Sequence, residues 1–200
     1  MPYDYRKMTS AERAEVVKQR RERGYPPHAP PHPFRQEGCY LITAAAFEHA
    51  NVMSDPDRRS EFERDLLVTL ASVGAGIDGW VVLPNHYHVL SNVPSLDIVS
   101  NVLKLLHGST SRKWNLEDGL TGKRRVWYKF ADRAIRDEAH YFRVLNYIHY
   151  NPVKHHYAED VYGWPWSSLF LYYEEKGRDW LRETWQTHLP GDLGKDWDDF

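Results

Sequence analysis

Near the middle of the chain, two apolar, β-rich runs, Trp80 to Leu83 and His86 to Ser91, are separated by nothing but Pro84-Asn85. A connector that short joins neighbouring antiparallel strands, because parallel neighbours need a crossover of about a dozen residues or more. The periodicities on either side then set the fold class. Upstream, Cys39 to Phe47 reads as a strand, Arg58 to Val73 carries Phe62, Leu66, Leu67 and Leu70 at helical spacing, and Gly74 to Gly79 reads as a loop. Downstream, Leu96 to Trp114 reads as a helix and Val126 to Ile135 as a strand; Asp137 to Tyr150 reads as a helix with Phe142, Leu145 and Ile148 on one stripe. Strand, helix, two strands, helix, strand is the order of an α+β, ferredoxin-like βαββαβ sandwich, an antiparallel sheet with helices on one face, here with an added C-terminal helix.

The two ends read differently. Ser10 to Arg23 has the look of a short charged helix with Ser10 as N-cap, and Tyr25 to Phe34 is a Pro/His-rich linker. We therefore divide the chain into a charged N-terminal segment with its linker (1–35), a main domain (36–175), and an acidic tail containing tryptophans (176–200), which wraps or dangles. No repeat of 20–50 residues and no Gly-rich phosphate loop occurs. With 42% hydrophobic and 14% aromatic residues the chain is neither disordered nor fibrous. The single Cys39 rules out an internal disulfide or a cysteine-based zinc site. No apolar run approaches the roughly 18 residues of a spanning helix, and the start lacks an apolar signal stretch. The expected setting is the cytoplasm, with no membrane partner.

A net charge of −2 hides an uneven distribution. Residues 101–136 hold nine Lys/Arg against three acids, a local +6 to which Lys104, Arg112, Lys113, Lys123, Arg124 and Arg125 contribute, whereas residues 190–200 hold one Lys against four Asp. A polyanion would find a basic zone here, although charge alone equally fits solvated faces.

His86 and His88 are two apart. On a strand, such side chains share a face about 6.6 Å apart, within reach of one metal ion. Two histidines at this spacing commonly ligate nothing, but Val81-Val82-Leu83 before them and Val89-Leu90 after place the pair inside an apolar strand, where buried rings need partners. Farther on, Tyr147 and Asn151 are four apart and share one face of a helix about a turn apart. An amide oxygen can complete the shell of a hard ion. Equally, Tyr147 fits a core ring and Asn151-Pro152 a helix stop, with Pro152 closing the helix at Asn151.

Pro84-Asn85-His86-Tyr87-His88, then Tyr147-Ile148-His149-Tyr150-Asn151-Pro152-Val153-Lys154-His155, then Trp164-Pro165-Trp166-Ser167-Ser168, three motifs in this order over roughly 36–172, resemble the REP-associated tyrosine transposases. These are single-tyrosine relatives of insertion-sequence transposases, within the nucleases named for a histidine-hydrophobe-histidine motif. The resemblance implies that His86 and His88 bind a divalent ion, that Asn151 is the third ligand and that Tyr147, carried on the added helix, is the nucleophile. The sequence departs from the pattern at His156, where a glycine is usual. Trp127 to Arg133 resembles one subgroup, which keeps Tyr128 as a reserve nucleophile. His149 would face away.

The implied chemistry suits the residues. A phenol with a pKa near 10 is a poor nucleophile and a phosphodiester anion repels attack, so a divalent cation, magnesium or manganese, is required to offset charge on the phosphate. Both imidazoles must be neutral to ligate, so metal loading is expected to fall below about pH 6.5. The expected function is a metal-dependent single-strand DNA endonuclease and strand transferase, cutting at or near hairpin-forming repeats through a 5′-phosphotyrosine, as a nucleoid-associated monomer or homodimer. A cleavage-inactive DNA- or RNA-binding regulator on the same fold is the alternative, and a small metal-dependent hydrolase is a third.

Overall fold

A computed structural model describes residues 9–22, 37–120, 124–195 and 198. The N-terminal helix α1 (Ser10–Glu22) begins one residue earlier than an N-cap at Ser10 would place it. Thr9, not Ser10, caps it: the Thr9 hydroxyl oxygen accepts from Glu12 N at 3.3 Å and the Glu12 carboxylate accepts from Thr9 N at 2.7 Å, a reciprocal capping box.

The remaining elements follow in order: β1 (Gly38–Ala45), α2 (Pro56–Ala71), β2 (Gly76–Val82), β3 (His86–Val93), α3 (Leu96–Glu117), β4 (Ala131–Ala134), α4 (Glu138–Lys154) and α5 (Leu169–Thr187). The four strands form one antiparallel sheet in the order β2-β3-β1-β4, so the Pro84-Asn85 hairpin supplies an edge strand and a central one. Three expectations are corrected. Part of the Gly74–Gly79 loop is strand, because Gly76 and Ile77 pair with Asn92 and Ser91. The strand expected over Val126–Ile135 is confined to Ala131–Ala134, because Trp127 makes a single bridge to Ala46 and then turns its ring into the core, stacked at 5.1 Å on Phe62. The sheet is covered on both faces instead of one.

On one face, Tyr40, Ile42, Tyr87 and Val89 pack against Phe62, Leu66 and Leu70 of α2 and Val99, Leu103 and Trp114 of α3. On the other, Leu41, Val81, Leu83 and Leu90 pack under Val144, Leu145, Tyr147 and Ile148 of α4. Two buried faces explain why the central strands read as continuous apolar runs and not as alternation. Truncating a residue such as Leu66 in a core of this kind costs about 2–5 kcal/mol. Gly79 sits where β2 meets α4: a Cβ there would lie 2.7 Å from Leu145 Cδ1.

The Trp164–Ser168 motif closes the outer edge of the sheet. Val82 N donates to Trp166 O at 2.9 Å, Ser168 N donates to Trp80 O at 3.0 Å, and Trp80 N donates to Ser168 Oγ at 3.0 Å. Trp164 and Trp166 also clasp the buried Arg59 guanidinium, 4.7 and 4.1 Å from their ring centres. An edge strand whose backbone groups are taken in this way is not a template for pairing with other chains. His149, the histidine expected to face away, bonds Ser168 Oγ at 2.9 Å and ties α4 to this edge. Helix α5 runs straight through the expected 175/176 boundary, with a break at Gly177 (φ 83), so the first part of the tail is ordered against α4 and does not dangle. No helix among the described residues is long and apolar enough to cross a membrane.

Folding also traps His107 in the core, stacked 4.6 Å from Trp127 and bonded to the Tyr87 hydroxyl at 3.0 Å. Burial lowers its pKa from 6.5 to about 3. An imidazole kept neutral by folding but able to protonate once unfolded contributes stability that is complete above about 6.5 and is lost as pH falls from there towards 3. Tm is expected to fall between pH 7 and pH 4.5, and to fall less steeply in His107→Gln. Calorimetry showing parallel pH dependence in the two proteins would contradict this assignment.

Candidate active site

Strand β3 pairs with β1 so that His86 faces Ala45 and His88 faces Thr43. Both imidazoles therefore project from the same face of the sheet, the face covered by α4, and both are completely buried. Each is held from behind. Thr43 Oγ1 lies 2.7 Å from His88 Nδ1, and Asn85 Oδ1 lies 2.7 Å from His86 Nδ1, which leaves the two Nε2 atoms pointing at a common centre. The rings are 5.0 Å apart. Burial is the first cause of the low pKa of both, about 3, with nearby positive groups adding to it: Lys154 and Arg133 push His88 down. Both rings stay neutral far below pH 6.5, so desolvation overrides the sequence-based pH expectation.

Helix α4 supplies the opposite wall. Tyr147 is 2% exposed and its ring lies 5.3 Å from His88; Asn151, one turn later, places Oδ1 2.9 Å from His86 Nε2. Pro152 does not end the helix at Asn151 as expected: α4 continues to Lys154, with His155 N donating to Asn151 O at 3.1 Å and Tyr157 N donating to Pro152 O at 2.8 Å to hold the turn beyond. His156, where the resemblance expects glycine, has φ 59, in the left-handed region that glycine favours.

Sequence reading missed the residue at the centre of the site. Asp198, completely buried, brings its carboxylate against both histidines: Oδ1 lies 3.4 Å from His86 Nε2 and Oδ2 lies 3.5 Å from His88 Nε2. Oδ2 also accepts from the Tyr147 hydroxyl, from Asn151 Nδ2 (2.9 Å) and from Lys154 Nζ (3.2 Å), and lies 3.2 Å from His155 Nε2. The tail reaches this position because Asn146 Nδ2 donates to Thr184 O and His188 O at 3.0 and 2.9 Å, pinning the end of α5 to α4. Asp198 N then donates to Gly194 O at 2.8 Å. Gly194 (φ +93) is required here: a Cβ would lie 2.7 Å from the Tyr147 ring and 2.8 Å from its hydroxyl. Nothing in the sequence distinguishes Asp198 from the other acids of the tail.

His86, His88 and Asp198 form a group able to hold a metal ion, each offering a ligand atom within 4.8 Å of the others. The donor set fits. His86 Nδ1 lies 2.7 Å from Asn85 Oδ1, and Nε2 lies 2.9 Å from Asn151 Oδ1 and 3.4 Å from Asp198 Oδ1; in the tautomer protonated at Nδ1, three acceptors converge. Such a cluster is relieved by a cation, and nitrogen and oxygen donors of this kind suit first-row or hard divalent ions.

Tyr128, the reserve nucleophile, lies at the rim. Its backbone N donates to Ala45 O at 2.9 Å, while its ring packs 5.1 Å from Phe47 with the exposed Arg125 guanidinium 5.3 Å away. The basic residues are dispersed. Lys104, Arg112 and Lys113 lie on α3, across the sheet from the histidines. Lys104 and Arg112 are exposed, whereas Lys113 pairs with Glu61 and Glu117, and Arg124 pairs with Asp118 at 2.7 Å. Lys123 lies outside the described residues.

An antiparallel α+β sandwich with a buried histidine pair facing a helix-borne tyrosine is the class that fold and site define. In sequence, the chain is similar to the REP-associated tyrosine transposase of Escherichia coli K12, 32% identical over 98 residues, 46% of this chain and 53% of that protein. A Haemophilus influenzae relative matches equally at 32% over 98 residues, covering 44% of this chain and 55% of its own. The matched stretch thus spans about half the length of these curated relatives. In fold, it resembles a REP-associated tyrosine transposase solved bound to a REP hairpin, with a TM-score of 0.60, 21% identity, and coverage of 76% of this chain and 88% of that one. No family model matches the sequence. Sequence and fold therefore point to the same relatives.

Proposed function

We propose that this chain is a metal-dependent single-strand DNA endonuclease and strand transferase that acts at or near hairpin-forming repeats, on DNA in the cytoplasm. One observation carries the reading: the Tyr147 hydroxyl and the Asn151 amide both donate to one buried carboxylate, that of Asp198, and the two histidine Nε2 atoms lie 3.4 and 3.5 Å from it. The sheet order β2-β3-β1-β4 supports a ferredoxin-like reading, in which His86 and His88 of β3 work beneath α4 and its Tyr147.

His86, His88 and Asn151 would hold magnesium or manganese, whose charge would offset that of the phosphate oxygens. Tyr147 would then attack phosphorus: its oxygen forms the O–P bond, the P–O3′ bond breaks, the phenol proton passes to water and the departing 3′ oxygen takes one up. The product is a 5′-phosphotyrosine with a 3′-hydroxyl, which keeps the bond energy for rejoining. Thr43 and Asn85 would orient the imidazoles.

Covalent attachment to labelled hairpin DNA with single-stranded flanks, in the presence of manganese, tests the proposal. Absence of any adduct would hand the reading to the cleavage-inactive binding regulator. Binding has its own signature. Four to six phosphate contacts at about −0.7 each give a log–log salt slope near −3 to −4. Because Arg124 and Lys113 are already paired with acids, Arg112→Ala with Arg125→Ala is expected to flatten the slope more than Lys113→Ala with Arg124→Ala. A salt-independent affinity would remove the basic zone from the interface.

A further inference from the structure

The histidine pair does not account for every donor gathered at Asp198. Tyr147, Asn151 and Lys154 stand at i, i+4 and i+7 on one face of α4, His155 caps the helix, and all four reach Asp198 Oδ2. Lys154 Nζ makes a second bond, to the Asp198 backbone oxygen at 2.6 Å. A carboxylate held this way shows that the pocket takes an anionic oxygen. The nonbridging oxygen of a phosphodiester is another such oxygen, accepting from the same donor types. Because this position touches the Tyr147 hydroxyl, a phosphate whose oxygen took it would sit beside the attacking group.

We propose that Lys154 is a further catalytic residue, its ammonium binding a nonbridging oxygen of the scissile phosphate where the Asp198 carboxylate sits. This rests on the reading of Tyr147 as nucleophile and adds to it a fixed positive charge on the nucleophile's own helix. The ammonium lies 5.5 Å from the centre of the Tyr147 ring, so the charge is carried beside the nucleophile itself. Lysine suits the task as a compact charge with rotatable donors that follows an oxygen as geometry changes during attack.

Two measurements on the full chain test the assignment. In Asp198→Ala, inorganic phosphate at about 50 mM, compared with chloride at matched ionic strength, is expected to raise Tm by about 2–4 °C through preferential binding to the folded state. Adding Lys154→Gln is expected to remove that shift, and adding Lys154→Arg to keep it. A phosphate shift that is absent in Asp198→Ala, or undiminished by Lys154→Gln, overturns the proposal. In the second measurement, Lys154→Gln is expected to slow adduct formation on hairpin DNA at least about 100-fold, while affinity for the same DNA changes by less than about tenfold. An adduct rate equal to that of the unaltered protein also overturns it. If the unaltered protein forms no adduct at all, the nucleophile reading fails, and a Lys154-dependent phosphate shift still establishes the anion site.

Discussion

Tyr147→Phe is expected to lower formation of the protein–DNA adduct at least about 10³-fold while leaving DNA affinity intact, because the substitution removes only the attacking oxygen. The ring keeps its place against His88 and under the α4 core, so the fold should survive. The hydroxyl's bond to Asp198 is lost, but that carboxylate retains Asn151 Nδ2 and Lys154 Nζ, which holds the stability change to about 1 kcal/mol. Denaturing gels on labelled hairpin DNA, run beside binding titrations, read both quantities. A persistent adduct would move the nucleophile elsewhere, with Tyr128 the first to be replaced. A parallel loss of binding would make Tyr147 a packing residue instead.

The second large effect concerns the metal. His88→Ala is expected to weaken manganese binding more than about 100-fold, because even a partner behind a ligand is worth about 10–100-fold and this removes the ligand itself. Thr43→Val, which takes away only the hydroxyl that aims the ring, should fall inside that smaller range. Asn151→Ala should be milder still and partly rescued by excess manganese, since water can replace one neutral oxygen. Calorimetric titration of manganese into each variant checks the order. Binding unaltered in His88→Ala would dismiss the histidine pair as a metal site.

The parts of this protein that announce themselves are those written in local periodicity. The hairpin hinged at Pro84-Asn85, the two-residue spacing of His86 and His88 and the four-residue spacing of Tyr147 and Asn151 all translate directly into shared faces, and the structure places all four residues around one centre. What stayed hidden depends on contacts between distant segments. Asp198 meets Tyr147 across 51 positions, and no spacing rule connects them. Thr43 in an apolar strand carries no sign that its hydroxyl faces an imidazole 45 positions away. Strand β4 is shorter than its composition suggests because Trp127 turns its ring into the core, stacked on Phe62, instead of continuing the ladder. Counting charges over 101–136 also overstated the basic zone, since Arg124 and Lys113 are committed to Asp118, Glu61 and Glu117.

Tyr147, Asn151 and Lys154 ride on a single helix, whereas His86 and His88 ride on the sheet. The two halves of the site therefore have one gap between them, and its width is set where α4 touches β2. Gly79 lies at that point, where a Cβ would come 2.7 Å from Leu145 Cδ1 of the helix. A larger residue there would press on Leu145, a side chain of the same helix that carries hydroxyl, amide and ammonium. The packing beneath one half of the site thus depends on a position that takes no part in its chemistry.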